Sequence, residues 1–273
     1  MASFPDKSGG PAPDVAGNGP AGLFARDLNV VYARGTQSVH ALKDVNLNIP
    51  RGTRAALIGA SGCGKSTLLR VFADMVAPTS GEARLFGATP ADARANRVYA
   101  LVQQSSTMLP WRSILDNVGL GLEVMGVAAG ERRNTATWAL ELVGLKGFEK
   151  SYPNELSGGM RQRAAIARAL TLRPRFLFMD EPFGALDEIT RDRLQYELLR
   201  ILEESKATLL LVTHSISEAV TLSDKVVVMT PRPGRIREII DIDLGATRDP
   251  SIRLDPKFRD YEQHLRQALH RET

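Results

Sequence analysis

Three short segments carry residue types suited to phosphate chemistry. Gly59-Ala-Ser-Gly-Cys-Gly-Lys65-Ser66 fits the pattern G-x-x-x-x-G-K-[ST]. Gly59, Gly62 and Gly64 let backbone N–H groups curl around phosphate oxygens, and Ser61, Cys63 and Thr67 complete the cradle. A helix starting here would add the partial positive charge of its N-terminus. Lys65 would reach the β- and γ-phosphates, and the Ser66 hydroxyl would ligate Mg²⁺. Phe176-Leu-Phe-Met-Asp180-Glu181 is the second segment. An apolar strand here delivers carboxylates at its C-terminal end, where α/β sheets bind ligands. Asp180 would hold the metal, and Glu181 would polarise the attacking water. Alone, such an Asp-Glu pair is often a helix cap; beside a phosphate loop the catalytic reading is the stronger. In the third segment, Ser157, Gly158 and Gly159 open a helix whose N-terminus is another anion site.

These groups need a scaffold, and the apolar pattern supplies one. Residues 55–58, 176–179, 209–212 and 226–229 are short, continuously apolar runs, expected where helices cover both faces of a parallel sheet. Leu28, Val30 and Tyr32, then Val45, Leu47 and Ile49, and later Ile236, Ile240 and Ile242 alternate with polar neighbours, marking half-buried strands. Leu68, Leu69, Phe72 and Met75 keep helical spacing, as do Ile114, Val118, Leu122 and Met125, and then Trp138, Leu142 and Leu145. The expected fold is an α/β nucleotide-binding core with an antiparallel β layer and an inserted helical subdomain at about 105–160. Residues 1–22, rich in Pro and Gly, are expected to form a disordered tail. Residues 23–245 form the nucleotide-binding domain, and 246–273 a C-terminal extension. In that extension Asp255-Pro256 caps a helix striped by Phe258, Tyr261, Leu265 and Leu269.

Leu156-Ser-Gly-Gly-Met-Arg-Gln-Arg163 resembles the signature motif of the ABC ATPases, which other P-loop proteins lack. The resemblance spans about residues 23–245 and implies a RecA-like P-loop core that binds and hydrolyses ATP with Mg²⁺. It also implies a head-to-tail sandwich dimer in which Ser157, Gly158 and Gly159 act on the partner's nucleotide. Tyr32 resembles the aromatic that stacks on adenine; the other reading is a core tyrosine at a strand end. Gln104 resembles the glutamine that reaches Mg²⁺ and links the site to the membrane partner. Gln103-Gln104 departs from the family's aromatic-Gln pair, and the spacing to Leu109-Pro110-Trp111 selects Gln104. Asp187, in Ala185-Leu-Asp187, resembles the D-loop aspartate, and His214 the switch histidine at the γ-phosphate. Leu109-Pro-Trp111, Asp116-Asn117-Val118, Glu181-Pro-Phe-Gly-Ala-Leu-Asp187 and Pro231-Arg-Pro-Gly234 are similar to the ATPases of nitrate, sulfonate and taurine importers. That implies permease subunits as partners, with a solute-binding protein acting indirectly. Met108, Leu109 and Trp111 read as an exposed docking turn, against the alternative that Trp111 packs into its own subdomain.

Composition narrows the rivals. The 35 basic and 31 acidic residues are balanced, and no basic stripe carries interleaved aromatics, so nucleic acid is not expected as a partner. Cys63, the lone cysteine, suits a reducing compartment and leaves no intramolecular disulfide; chemical alkylation of its thiol is conceivable at this position. No run approaches the ~18 apolar residues of a membrane span, and the N-terminal residues lack a signal-peptide pattern. A peripheral place on the cytoplasmic face of the membrane follows as the expectation. The competing functions are a non-transport ABC ATPase and an export or lipid-trafficking ATPase using the same motor.

Overall fold

The computed structural model describes residues 22–34, 37–245 and 248–270; the expected N-terminal tail therefore lies outside the described residues, Gly22 excepted. Strands β1 (Gly22–Arg34), β2 (Gln37–Pro50) and β4 (Ser80–Leu85) form an antiparallel sheet in the order β2-β1-β4. A six-stranded sheet runs β5 (Tyr99–Val102), β6 (Phe176–Asp180), β7 (Thr208–Val212), β3 (Arg54–Ile58), β8 (Lys225–Met229) and β9 (Ile236–Asp241). Its pairs are parallel except β8–β9, which closes one edge antiparallel. The α/β class is as the apolar runs implied.

Both faces of the central strands are apolar because each face meets a different layer. Phe176, Phe178, Leu210, Val212 and Leu57 pack with the small sheet and with Leu68, Leu69 and Phe72 of α1 (Lys65–Phe72). Their neighbours Leu177, Met179, Leu209, Leu211 and Ile58 point the other way, as the period-2 geometry of a strand demands. There they meet helices α5 (Gly158–Thr171), α6 (Glu188–Ser205) and α7 (Ile216–Leu222). A continuous apolar run is thus two alternating half-runs, each serving its own core.

Helices α3 (Ile114–Val124) and α4 (Ala129–Leu142) pack with α5 as a helical layer. The short α2 (Pro90–Ala95), capped by Thr89 with Pro90 at its first position, has no counterpart in the apolar periodicity. Two stripe residues depart from expectation: Met75 is 50% exposed beyond the end of α1, and Met125 is 41% exposed just past α3. The first helix stops most of a turn before the apolar spacing suggested, the second only one residue before it.

The extension beyond residue 245 belongs to the core. Phe258, Leu265 and Ala268 of α8 (Pro256–His270) are buried, and the helix packs on α7 and β8. Its apolar stripe is thereby consumed within the chain. Arg248 fastens the segment that leads into it. Its Nη1 donates to the carbonyls of Val220, Thr221 and Ser223 at 3.0, 3.0 and 2.8 Å, and its Nη2 donates to Asp224 Oδ1 at 3.3 Å. Burial, reinforced by the neighbouring Arg54 and opposed by Asp224, pushes the guanidinium down to about 10. Arg248→Ala leaves several carbonyls without a donor and is expected to cost ~3 kcal/mol in chemical denaturation; a loss below ~1 kcal/mol would show the knot to be dispensable.

Candidate functional site

The phosphate loop runs from the end of β3 into α1. Gly64 at φ 110 is the left-handed turn residue that starts the helix, and a Cβ there would lie 2.7 Å from Leu42 Cδ2. Gly59 has no more room: its Cβ would meet Cys63 Sγ at 2.8 Å and Met229 O at 2.9 Å. The close neighbour explains Cys63, whose side chain fills the space behind the loop and is 1% exposed. Lys65 Nζ donates to the carbonyls of Gly59 and Ala60 at 2.8 and 3.1 Å, holding the ammonium at the inner edge of the loop.

The loop is tied to the carboxylate strand by one contact, Ser66 Oγ donating to Asp180 Oδ1 at 2.8 Å. Burial raises the Asp180 carboxyl above its usual range, while the Ser66 hydroxyl and the Arg70 and Lys65 charges pull against that. Glu181 follows at φ 48, an uncommon conformation for a residue with a side chain and one that concentrates at functional sites. Its N–H still donates to Val212 O at 2.9 Å, so the strained residue is held by the sheet. The turn sends the two carboxylates apart. Asp180 faces Ser66, whereas Glu181 Oε2 accepts from Gln104 Nε2 at 2.9 Å and lies 3.7 Å from His214 Nδ1.

One open cavity of about 620 Å³ is lined by Ser61, Gly62, Gly64, Lys65, Ser66 and Thr67 on the loop side, and by Gln104, Glu181 and His214 opposite, while Asp180 is buried and reaches it only through its contact with Ser66. Gly59 and Cys63 lie behind that wall. Of the two glutamines, Gln104 lines the cavity, while the Gln103 backbone carbonyl accepts from Gln162 Nε2 of α5 at 3.2 Å. Tyr32 is 41% exposed on the cavity rim, with its hydroxyl 3.5 Å from Thr67 Oγ1, which rules out the core-tyrosine reading.

Four residues singled out in the sequence are elsewhere. Ser157 caps α5 by accepting from Met160 N at 3.2 Å, and Gly158 and Gly159 form its first turn. Asp187 caps α6 by accepting from Thr190 N at 2.9 Å. None of the four lines the cavity. Conversely, Val39, Ala41 and Arg232 line it without having been identified as site residues. Val39 pairs with Tyr32 in the β1–β2 register, so a hairpin alignment would have found it. Arg232 lay inside a quoted motif with no chemistry attached.

The ABC transporter family profile matches residues 42–184. The taurine import ATP-binding protein of Rhizobium johnstonii is 44% identical over 243 residues, covering 87% of this chain and 92% of its own. The nitrate import ATP-binding protein of a Synechocystis strain is 41% identical over 258 residues, covering 92% and 96%. A solved ATP-binding cassette, dimeric and bound to ADP and phosphate in a post-hydrolysis state, superposes with a TM-score of 0.75 at 31% identity, over 81% of this chain and 98% of its own. Lys65→Ala is expected to weaken ATP binding at least about tenfold in folded protein, since a charge-assisted contact to phosphate is lost. Titration with a fluorescent ATP analogue checks this, and near-wild-type affinity would move the phosphate site elsewhere.

Proposed function

This chain belongs to the ABC transporter family as an ATP-binding and ATP-hydrolysing subunit, and we propose that it drives an importer for a small anion or related organic solute of the nitrate, sulfonate and taurine kind. The observation that carries the reading is the convergence on one cavity of the Lys65–Ser66 loop, the Ser66–Asp180 contact and the Glu181–Gln104–His214 cluster. The names of the taurine and nitrate relatives support the direction of transport over an exporter or lipid-trafficking role.

In the proposed mechanism the triphosphate lies along the loop, with adenine on Tyr32. Ser66 Oγ and Asp180 Oδ1, 2.8 Å apart, are hard oxygen donors suited to Mg²⁺. Among the described residues no group of three or more His, Cys, Asp or Glu side chains is placed to hold a metal unaided; that fits an ion completed by phosphate oxygens and water. Bound there, Mg²⁺ would neutralise charge on the β- and γ-phosphates. The Glu181 carboxylate orients a water toward the γ-phosphorus and takes up its proton as the bond to the β-phosphate oxygen breaks, giving ADP and phosphate. Gln104 and His214 flank that carboxylate and set its direction. Ser157, Gly158 and Gly159 do not line their own chain's cavity, and we assign them to the nucleotide of a second copy, with Asp187 at the same junction. Glu181→Gln should retain ATP binding, accumulate a dimer visible by light scattering and hydrolyse about 10²–10⁴-fold more slowly. Wild-type turnover would place the base elsewhere.

The permease is proposed to dock at the turn after Gln104. Trp111 is 71% exposed, which overturns packing into its own helical layer. Met108 departs from expectation in the other direction, being buried at 9% exposure; it anchors the turn that presents Trp111. Asn117 fixes the same turn from α3: its Oδ1 accepts from Leu109 N at 2.8 Å, and its Nδ2 reaches the carbonyls of Leu109, Arg112 and Ser113 at 3.1, 3.0 and 3.0 Å. Exposed tryptophan on a rigid turn is a typical binding anchor. Among the described residues no helix is long and apolar enough to cross a membrane. The proposed place, by analogy with the import ATP-binding relatives, is peripheral, on the cytoplasmic face, with a solute-binding protein engaged through the permease. Trp111→Ala is expected to weaken permease copurification and transport while melting temperature stays near wild type. A large drop in melting temperature with copurification intact would sink the docking assignment.

A further inference from the structure

We infer that Arg232 is a second cation for the phosphate chain of the bound nucleotide, carried to the phosphate loop by the tip of the β8–β9 hairpin. The inference rests on the nucleotide reading of the cavity. Arg232 lies 170 residues beyond Gly62, yet its Nε and Nη2 donate to the Gly62 carbonyl at 3.3 and 3.1 Å. It lines the same cavity as Lys65, Gln104, Glu181 and His214. Among the described residues on that wall, Lys65 and Arg232 are the two with permanent positive charge.

The placement is built rather than incidental. Gly234 N donates to Ala41 O and Lys43 N donates to Gly234 O, both at 3.0 Å, so the hairpin tip is stitched to β2. Within the tip, Thr230 N donates to Arg235 O at 2.9 Å, and Arg235 N donates to Thr230 Oγ1 at 3.0 Å. Gly234 passes so close to the loop that a Cβ on it would lie 2.0 Å from Cys63 O. The hairpin and the phosphate loop therefore hold one another at backbone contact. On the loop side Gly62, at φ 73, turns its carbonyl toward Arg232, and a Cβ there would sit 3.2 Å from Arg232 Nη2.

The chemistry follows from the donor inventory. A guanidinium carries five N–H donors in a fixed fork; the Gly62 carbonyl occupies those of Nε and Nη2 that face it. The remaining edge borders the cavity. Lys65 is drawn inward by the Gly59 and Ala60 carbonyls, so Arg232 supplies positive charge on the outer side of the loop, where Lys65 does not reach. Guanidinium is the side chain best suited to this task, because its planar fork binds a carbonyl on one edge and phosphate oxygens on another.

The test uses the full chain and compares ATP and ADP affinity and steady-state hydrolysis for Arg232→Ala, Arg232→Gln and Arg232→Lys, with Lys65→Ala as reference. Circular dichroism verifies that each is folded. Arg232→Ala is expected to raise the Kd for ATP about tenfold, with a weaker dependence of affinity on salt and a loss that falls on KM more than on kcat. Arg232→Gln can still donate to the Gly62 carbonyl but carries no charge, and should match alanine; Arg232→Lys should recover most of the affinity. A glutamine variant that binds like wild type reduces Arg232 to a brace for the loop and overturns the inference. So does an alanine variant within twofold of wild type, or a lysine variant no better than alanine. If Lys65→Ala also binds like wild type, the nucleotide reading of the cavity falls and takes this inference with it; if Lys65 matters and Arg232 does not, only the inference falls.

Discussion

The hydrogen bond from the Ser66 hydroxyl to Asp180 joins two parts of the chain 114 residues apart, and the geometry of the site depends on it. It fixes the start of α1 against the end of β6, and so sets how far the phosphate loop stands from the carboxylates. Asp180 is held there against the cost of burial. With that side chain committed to the loop, the left-handed backbone at Glu181 turns the next carboxylate to the opposite wall, toward Gln104 and His214. Two adjacent acids thus receive different surroundings from a single peptide unit: one sits beside a hydroxyl and distant cations, the other beside an amide and an imidazole. Such separation of environments is how neighbouring carboxylates come to differ in role.

Much of this was legible in the sequence because the relevant signals are local. The glycine spacing before Lys65 reflects backbone turns without room for a Cβ, and the apolar runs reflect strands covered on both faces. Gln104 could be separated from Gln103 by its distance to the Leu109-Pro110-Trp111 turn, and the structure carries it to Glu181. What escaped was non-local. Arg232 reaches Gly62 only because β8 and β9 form a hairpin that folds back over β2, and no periodicity encodes that approach. Met75, Met108 and Met125 illustrate a subtler limit. Apolar spacing continues beyond a helix end or across a loop without revealing where the backbone stops turning, so two of the three were expected inside and stand exposed, and the third is the reverse.

The helical layer meets the site at two adjacent glutamines. The Gln103 carbonyl is held by Gln162 of α5, a helix whose N-terminus is Ser157, while the neighbouring Gln104 touches Glu181. One residue step along the chain therefore separates a contact with the helical layer from a contact with the cavity. Beyond it, Asn117 locks the turn that displays Trp111. Between the two, residues 105–109 run without helix or strand, with Ser105 and Thr107 exposed.

The alternation within the central strands also bears on how such a sequence can change over time. Leu177 and Phe178 are adjacent in the chain, yet one belongs with the helices and the other with the small sheet. A substitution at either is felt first by a different set of partners, and compensating changes arise most readily in that set, because energetic coupling is strongest between groups in contact. The two layers can accordingly drift almost independently, sharing a backbone but not a packing problem. The helical side can be reshaped while the side that backs the phosphate loop keeps its shape.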